Sequence, residues 1–231
     1  MTRAITPIEL VEIVAAALQD LRGELVFVGG AITGLLLTDP AAPSTSSTKD
    51  VDVIVSVTTR TEYLDVLSHR MRALRFREDT DEDAPICRWR LDGIKLDLMP
   101  TDPLILGFSN RWFPEAFRNA QPHELPSGIT IKVVTGPHFL ATKFEAFHSR
   151  GDGDYMASKD MEDSIAVLHG RQEIVGEIAG AAVEVREYLG ERADELLQNH
   201  GFEAALAGHL PGEDTTRVIR RLQRIMAAAR T

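Results

Sequence analysis

Lys49-Asp50-Val51-Asp52-Val53-Ile54-Val55-Ser56-Val57 is the stretch from which the rest of the chain is read. Val51 to Val57 is rich in β-branched residues and predicts a strand. Successive side chains on a strand alternate between faces, so Asp50 and Asp52 project together while Val51 and Val53 turn to the core. Two adjacent carboxylates without a cation repel and raise each other's proton affinity. A hard divalent ion with oxygen ligands removes that conflict, and Mg²⁺ typically binds through a few carboxylates plus substrate phosphate oxygens. An Asp-X-Asp alone describes two solvated carboxylates at a strand end equally well, so its neighbours carry the weight.

Upstream, Leu25-Val26-Phe27-Val28 reads as a short buried strand ended by Gly29-Gly30, and Ala31 to Leu37 as the opening of a helix. Glycines at such a turn let the backbone approach a phosphate closely, and the following helix N-terminus aims N–H groups at the anion. A first helix is expected over Pro7 to Leu21, with Thr6 as N-cap and Pro7 at the first helical position. Thr38 to Thr48, with two prolines and a Ser/Thr cluster, reads as a loop.

Downstream, Thr61 to Leu74 is helical by period, and Arg77 to Asp83 is an acidic run. Ile86 to Leu91 and Ile94 to Met99 flank Asp92-Gly93, a strong hairpin signal. In the second of these strands Ile94, Leu96 and Leu98 share one face and leave Asp97 on the other with Lys95 and Met99. If that strand lies beside the Asp50 strand, a third carboxylate comes within cross-strand reach of the first two. The alternative is a surface aspartate on a solvated hairpin face. Cys87, on the first hairpin strand, reads as a packed residue. Another strand is expected at Ile129 to Val134.

From Gly136 the chain changes character. Pro137 to Ser149, Lys159 to His169 and most of Arg171 to Arg230 read as helices, with breaks near Gly151, Gly170, Gly201 and Pro211. Lys143 and Arg150 share a helix face, where lysine supplies a mobile point charge and arginine grips oxygens bidentately. Asp160 and Asp163 follow a plausible N-cap, Ser158, in a first turn that favours aspartate through the helix dipole alone. Near the end Arg217, Arg220, Arg221 and Arg224 form one helical face, with Val218, Ile219, Leu222, Ile225 and Met226 on the other. That face suits an RNA backbone or simple solvation.

The whole chain of 231 residues carries a formal charge of −10, which argues against a broad nucleic-acid footprint. One cysteine excludes an internal disulfide and a cysteine-built zinc site, and the histidine spacings suit no zinc either. With no apolar run long enough to span a bilayer and no signal-peptide pattern, a cytoplasmic protein without membrane contact is expected.

Strand, Gly29-Gly30, helix, loop, strand with Asp50-Val51-Asp52, then hairpin with Asp97: this order resembles the head domain of the nucleotidyltransferase superfamily. The resemblance implies an α+β fold, a mixed β-sheet head with flanking helices over residues 1–135, followed by a helical domain over 136–231 that completes the nucleotide site. It makes Asp50, Asp52 and Asp97 ligands for Mg²⁺ or Mn²⁺, with a nucleoside triphosphate as substrate. Lys143 to Arg150, followed by Ser158 to Asp163, looks like the AbiE-type branch of toxin nucleotidyltransferases (type IV toxin–antitoxin systems). In that branch a helical lysine contacts the triphosphate and a following aspartate orients the lysine or helps catalysis. The catalytic set implied is thus Asp50, Asp52, Asp97, Lys143 and Asp160, with Gly29, Gly30, Thr33, Lys143 and Arg150 on the nucleotide. Many relatives have Ser where this chain has Ala31, so Thr33 would supply the missing hydroxyl. RNA, a tRNA end or a protein side chain would be the acceptor, and a cognate antitoxin a partner. A small-molecule enzyme of the aminoglycoside-modifying kind, and a non-catalytic nucleotide-binding module, are the alternatives.

Overall fold

The computed structural model describes residues 5–43, 47–150 and 153–230, residue 150 in its backbone only. The chain divides into two compact units. The first takes the chain up to Ile32 and the run that ends at Val134; the second begins with Thr33, leaves before the Asp50 strand, and resumes at Thr135.

In the first unit, helix α1 (Pro7–Leu18) opens with a reciprocal cap in which Thr6 Oγ1 accepts from the Glu9 amide and Glu9 accepts from the Thr6 amide. Its Leu10, Val11, Val14, Ala15 and Leu18 are buried. A 3₁₀ segment (Gln19–Glu24) leads into strand β1 (Leu25–Val28), and a 3₁₀ turn (Gly30–Ile32) follows. The chain then leaves for the second unit through α2 (Thr33–Leu36) and returns as strand β2 (Asp50–Val55). The helix expected over Thr61 to Leu74 is a π-helical segment (Glu62–Leu67) running into α3 (Ser68–Ala73). Strands β3 (Arg77–Glu78), β4 (Arg88–Leu91) and β5 (Ile94–Pro100) follow, then α4 (Pro103–Leu106), α5 (Phe113–Arg118), β6 (Gln121–Glu124) and β7 (Thr130–Val133).

The seven strands form one sheet in the order β3-β4-β5-β2-β1-β7-β6. The pairs β2–β5 and β1–β7 are parallel and the others antiparallel, so the sheet is mixed and the fold α+β. Asp92 and Gly93 both take positive φ, at 47° and 86°, as a two-residue hairpin turn requires. Two strands were not legible beforehand. Arg77–Glu78, the head of the acidic run, adds a short edge strand, and Gln121–Glu124 is a polar, proline-containing edge strand. Val51, Val53, Ile54, Leu96 and Leu98 are at most 1% exposed. Burying a side chain of this size stabilises by roughly 1.5–3 kcal/mol.

The second unit is helical: α6 (Gly136–Arg150), α7 (Lys159–Gly170), α8 (Ile174–Ala179), α9 (Val183–Gln198), α10 (His200–His209) and α11 (Thr216–Ala228). The break expected near Gly201 lies at Asn199, whose side chain accepts from the Gly201 and Phe202 amides and caps α10. The expected boundary at 135/136 misses one element, because the segment from Thr33 belongs with the helices. Its attachment is physical: the Thr38 and Asp39 amides donate to the Gly170 carbonyl, and Leu37 and Ala42 lie against Gly170. Arg171 adds a hydrogen bond to the Leu36 carbonyl at 2.8 Å.

Candidate active site

The carboxylate face belongs to the first unit. Parallel pairing of β2 with β5 sets Asp52 directly opposite Asp97, and Asp50 opposite Lys95. Because register fixes facing, Asp50, Asp52 and Asp97 stand on one face of adjacent strands. Val28, the last residue of β1, pairs with Asp52, and Gly29 follows immediately with φ +74°. A Cβ on Gly29 would lie 1.9 Å from Asp52 Oδ2 and 2.7 Å from its Cγ. The glycine is needed twice, for its backbone conformation and for the space into which the Asp52 carboxylate fits. Asp50 accepts a 2.7 Å hydrogen bond from the Thr48 hydroxyl.

Arg88 is the residue that sequence reasoning missed. It stands opposite Asp97 across the β4–β5 hairpin. Its Nε donates to Asp97 Oδ1 and its Nη2 to Asp97 Oδ2, both at 2.7 Å, and Nη2 lies 3.5 Å from Asp50 Oδ2. Both side chains are largely buried, at 18% and 12% exposed. The hydrogen bonds to Asp97 hold the guanidinium's pKa above its ordinary value, against the opposing effect of burial. A signal for this pair was present in the sequence. Counting outward from a two-residue turn at Asp92-Gly93 pairs Leu91 with Ile94, Arg90 with Lys95, Trp89 with Leu96 and Arg88 with Asp97.

Gly29 also decides how these residues suit a divalent ion. A backbone shaped to seat a carboxylate, beside a second carboxylate on the same strand face, fits an oxygen-ligated cation at Asp50 and Asp52. Both oxygens of Asp97 accept from Arg88, a commitment that the expected ligand set did not include. Among the described residues no group of three or more His, Cys, Asp or Glu is arranged to hold a metal ion.

The helix expected over Ala31 to Leu37 is a 3₁₀ turn (Gly30–Ile32) followed by the four-residue α2, and so short an α-helical element has little dipole to offer an anion. Thr33 is fully buried, and its hydroxyl donates to Asp163 Oδ1 at 3.1 Å. The hydroxyl expected to face a phosphate is therefore committed to a carboxylate of its own unit.

In the second unit Lys143 projects from α6 toward the first turn of α7. Its Nζ lies 2.6 Å from Asp163 Oδ2 and 3.1 Å from Asp160 Oδ1, and 5.7 Å from the centre of the Phe139 ring. Ser158 caps α7, its side chain accepting from the Met161 amide, which sets the rotation that aims both aspartates at α6. Asp163, the less favoured aspartate on sequence grounds, is the closer partner and also receives Thr33. The side chain of Arg150 lies outside the described residues, as do Gly151 and Asp152 of the connection that follows.

The four-arginine face of α11 is divided. Arg217 Nη1 donates to Asp39 at 2.7 Å, and Arg221 Nη1 to the Leu168 and His169 carbonyls at 2.6 and 2.8 Å, closing the C-terminal end of α7. Arg220 and Arg224 are the exposed pair. Burial, and next the Asp97 charge, push the Cys87 thiol up to about 12, so it stays protonated at neutral pH, as a packed residue does. No helix among the described residues is long and apolar enough to cross a membrane.

No protein-family model matches the sequence, and no curated protein matches it significantly. Among solved structures the chain is similar to the crystal structure of an antigenic nucleotidyltransferase-like protein from Paracoccidioides brasiliensis. The identity is 18% and the TM-score 0.49, over 94% of this chain and 92% of that one.

Proposed function

We propose that the chain is a divalent-metal-dependent nucleotidyltransferase that moves a nucleoside monophosphate from a nucleoside triphosphate to an acceptor hydroxyl. The observation that carries this reading is the seat that Gly29 provides for the Asp52 carboxylate, beside Asp50 on the same strand face. In the reaction the acceptor oxygen bonds to the α-phosphorus, the bond from that phosphorus to the bridging oxygen breaks, pyrophosphate leaves and the acceptor proton passes to solvent. Mg²⁺ or Mn²⁺ held by Asp50 and Asp52 would neutralise triphosphate charge. Gly29 keeps the Asp52 oxygens where they can ligate, and Thr48 orients Asp50. On the AbiE-type resemblance Lys143 is the phosphate-binding lysine, and within its own unit its amine could exchange one of its aspartate partners for a phosphate oxygen. Asp163, closest to the amine, holds it meanwhile.

The acceptor read from the AbiE-type resemblance is RNA, a tRNA end among the candidates, or a protein hydroxyl, with a toxin role and a cognate antitoxin as its biological setting. A second reading has its own support. Two of the four α11 arginines are turned into internal hydrogen bonds, and the chain carries a formal charge of −10, which suits a small cationic acceptor of the aminoglycoside kind. The test is incubation with each α-³²P-labelled nucleoside triphosphate, Mg²⁺ and either total RNA, protein extract or an aminoglycoside panel, comparing wild type with Asp52→Ala. Label should enter one acceptor class with wild type alone. Nucleotide binding without transfer to any acceptor would leave a non-catalytic nucleotide-binding module in its place.

A further inference from the structure

We propose that Arg88 is a built-in cation of the carboxylate face, standing where a second metal ion would otherwise bridge Asp50 and Asp97, so that the site takes up one divalent ion and not two. The inference rests on the reading of Asp50 and Asp52 as metal ligands.

The placement of one nitrogen makes the case. Arg88 Nη2 lies 2.7 Å from Asp97 Oδ2 and 3.5 Å from Asp50 Oδ2, between the two carboxylates that a bridging cation would join. Arg88 Nε takes the other Asp97 oxygen at 2.7 Å, making the planar, two-pronged contact for which guanidinium and carboxylate are shaped. An arginine cannot give up its charge near neutral pH, so the positive charge on this face is not lost by titration. Two-metal sites in general set their ions about 3.5–4 Å apart on shared carboxylates, and here both oxygens of Asp97 are taken by Arg88. The pair is set by hairpin register and is mostly buried, so it does not rely on a surface side chain finding one conformation. A second divalent ion would have to displace a paired, desolvated arginine and then bear its repulsion.

The consequence is a division of labour among three carboxylates. Asp50 and Asp52 are left to one ion, and Asp97 positions Arg88 in place of acting as ligand or base. Arg88 then carries fixed positive charge on the face that holds Asp50 and Asp97, a charge of the kind a two-metal enzyme would draw from its second ion.

The test counts ions, with no substrate present. Mn²⁺ alone is titrated into wild type, Arg88→Met, Arg88→Lys and Asp52→Asn, with free Mn²⁺ followed by electron paramagnetic resonance and folding checked by circular dichroism. Wild type and Arg88→Lys should bind one ion, Arg88→Met two, and Asp52→Asn should lose the ion that wild type holds. Two ions on wild type would overturn the role of Arg88 while leaving the metal reading intact, as would one ion on a folded Arg88→Met. No ion on any of the folded proteins would overturn the metal reading itself, and this inference with it. Should Arg88→Met fail to fold, the wild-type count still decides.

Discussion

The carboxylate face of the sheet and the lysine cluster of the helical unit solve the same electrostatic problem by different means. On the sheet, β-pairing fixes Asp97 opposite Arg88 and opposite Asp52, so backbone register alone brings the charges together. In the helical unit, among the described residues, no backbone hydrogen bond joins α6 to α7 in this way. Lys143 meets Asp160 and Asp163 because Ser158 caps α7 and apolar side chains such as Phe144, Met161 and Ile165 are buried. The cation differs to match. Arginine's fork locks one carboxylate at two points, whereas lysine's single amine divides itself between two carboxylates. The sheet pair is a fixture, while the lysine is the cation with partners to exchange.

The largest effect that would break this comparison is expected in the helical unit. Lys143 and Asp163 side chains are only 10% and 9% exposed. Removing one partner of such a buried pair costs up to roughly 3–5 kcal/mol, the more so here because the lysine is left with the longer contact, to Asp160. Asp163→Ala should therefore lower stability by about that amount in denaturant titration, and Asp160→Ala by only about 1.5–3 kcal/mol, a charge-assisted hydrogen bond's worth. Equal losses would mean that Lys143 does not favour Asp163.

A smaller effect tests the fixture on the sheet. Gly29→Ala forces a side chain into a positive φ and into the Asp52 carboxylate. Backbone strain of this kind costs about 1–3 kcal/mol, and the displaced carboxylate should abolish Mn²⁺ uptake while the melting temperature falls by a few degrees. Unchanged metal uptake in Gly29→Ala would show that the seat is unnecessary.

The smallest effect is a pH slope confined to the helical unit. His169 is 1% exposed and neither ring nitrogen has a hydrogen-bond partner. Burial, and next the positive charge of Arg217, hold its pKa below the ordinary value; Arg221 acts in the same direction, and Glu213 and Asp39 oppose it. A group whose folded pKa is depressed binds fewer protons when folded, so its contribution is intact above the unfolded value of about 6.5 and is lost as pH falls below it. Thermal melts between about pH 8 and pH 5 should show wild type weakening below about 6.5, and His169→Leu should flatten that slope. A slope unchanged by the substitution would assign it to other groups.

Legibility in the sequence followed the range of the interaction. The Asp50-Val51-Asp52 alternation, the Asp92-Gly93 turn, the Thr6 and Ser158 caps and the switch to helices after Gly136 depend on residues a few positions apart, and each stands where the sequence placed it. Edge strands β3 and β6 escaped because their polar residues have little β-propensity and are held by the neighbouring strand alone. The helix after Gly29-Gly30 was overestimated because its apolar residues carry no signal that stops it after Leu36.

By itself, the sequence determined the alternation that puts two carboxylates on one strand face, the turn that closes the hairpin, and the helical character of the second half. These are local consequences of side-chain direction, glycine's backbone freedom and apolar periodicity. The tertiary structure decided the rest: that β5 lies beside β2 and sets Asp97 against Asp52, that Thr33 and Asp39 serve the helical unit, and that Arg217 pairs with Asp39 while Arg221 caps a helix end. Those contacts join residues far apart in the chain, and their partners are chosen by which faces must be buried together, a choice no short stretch of sequence contains.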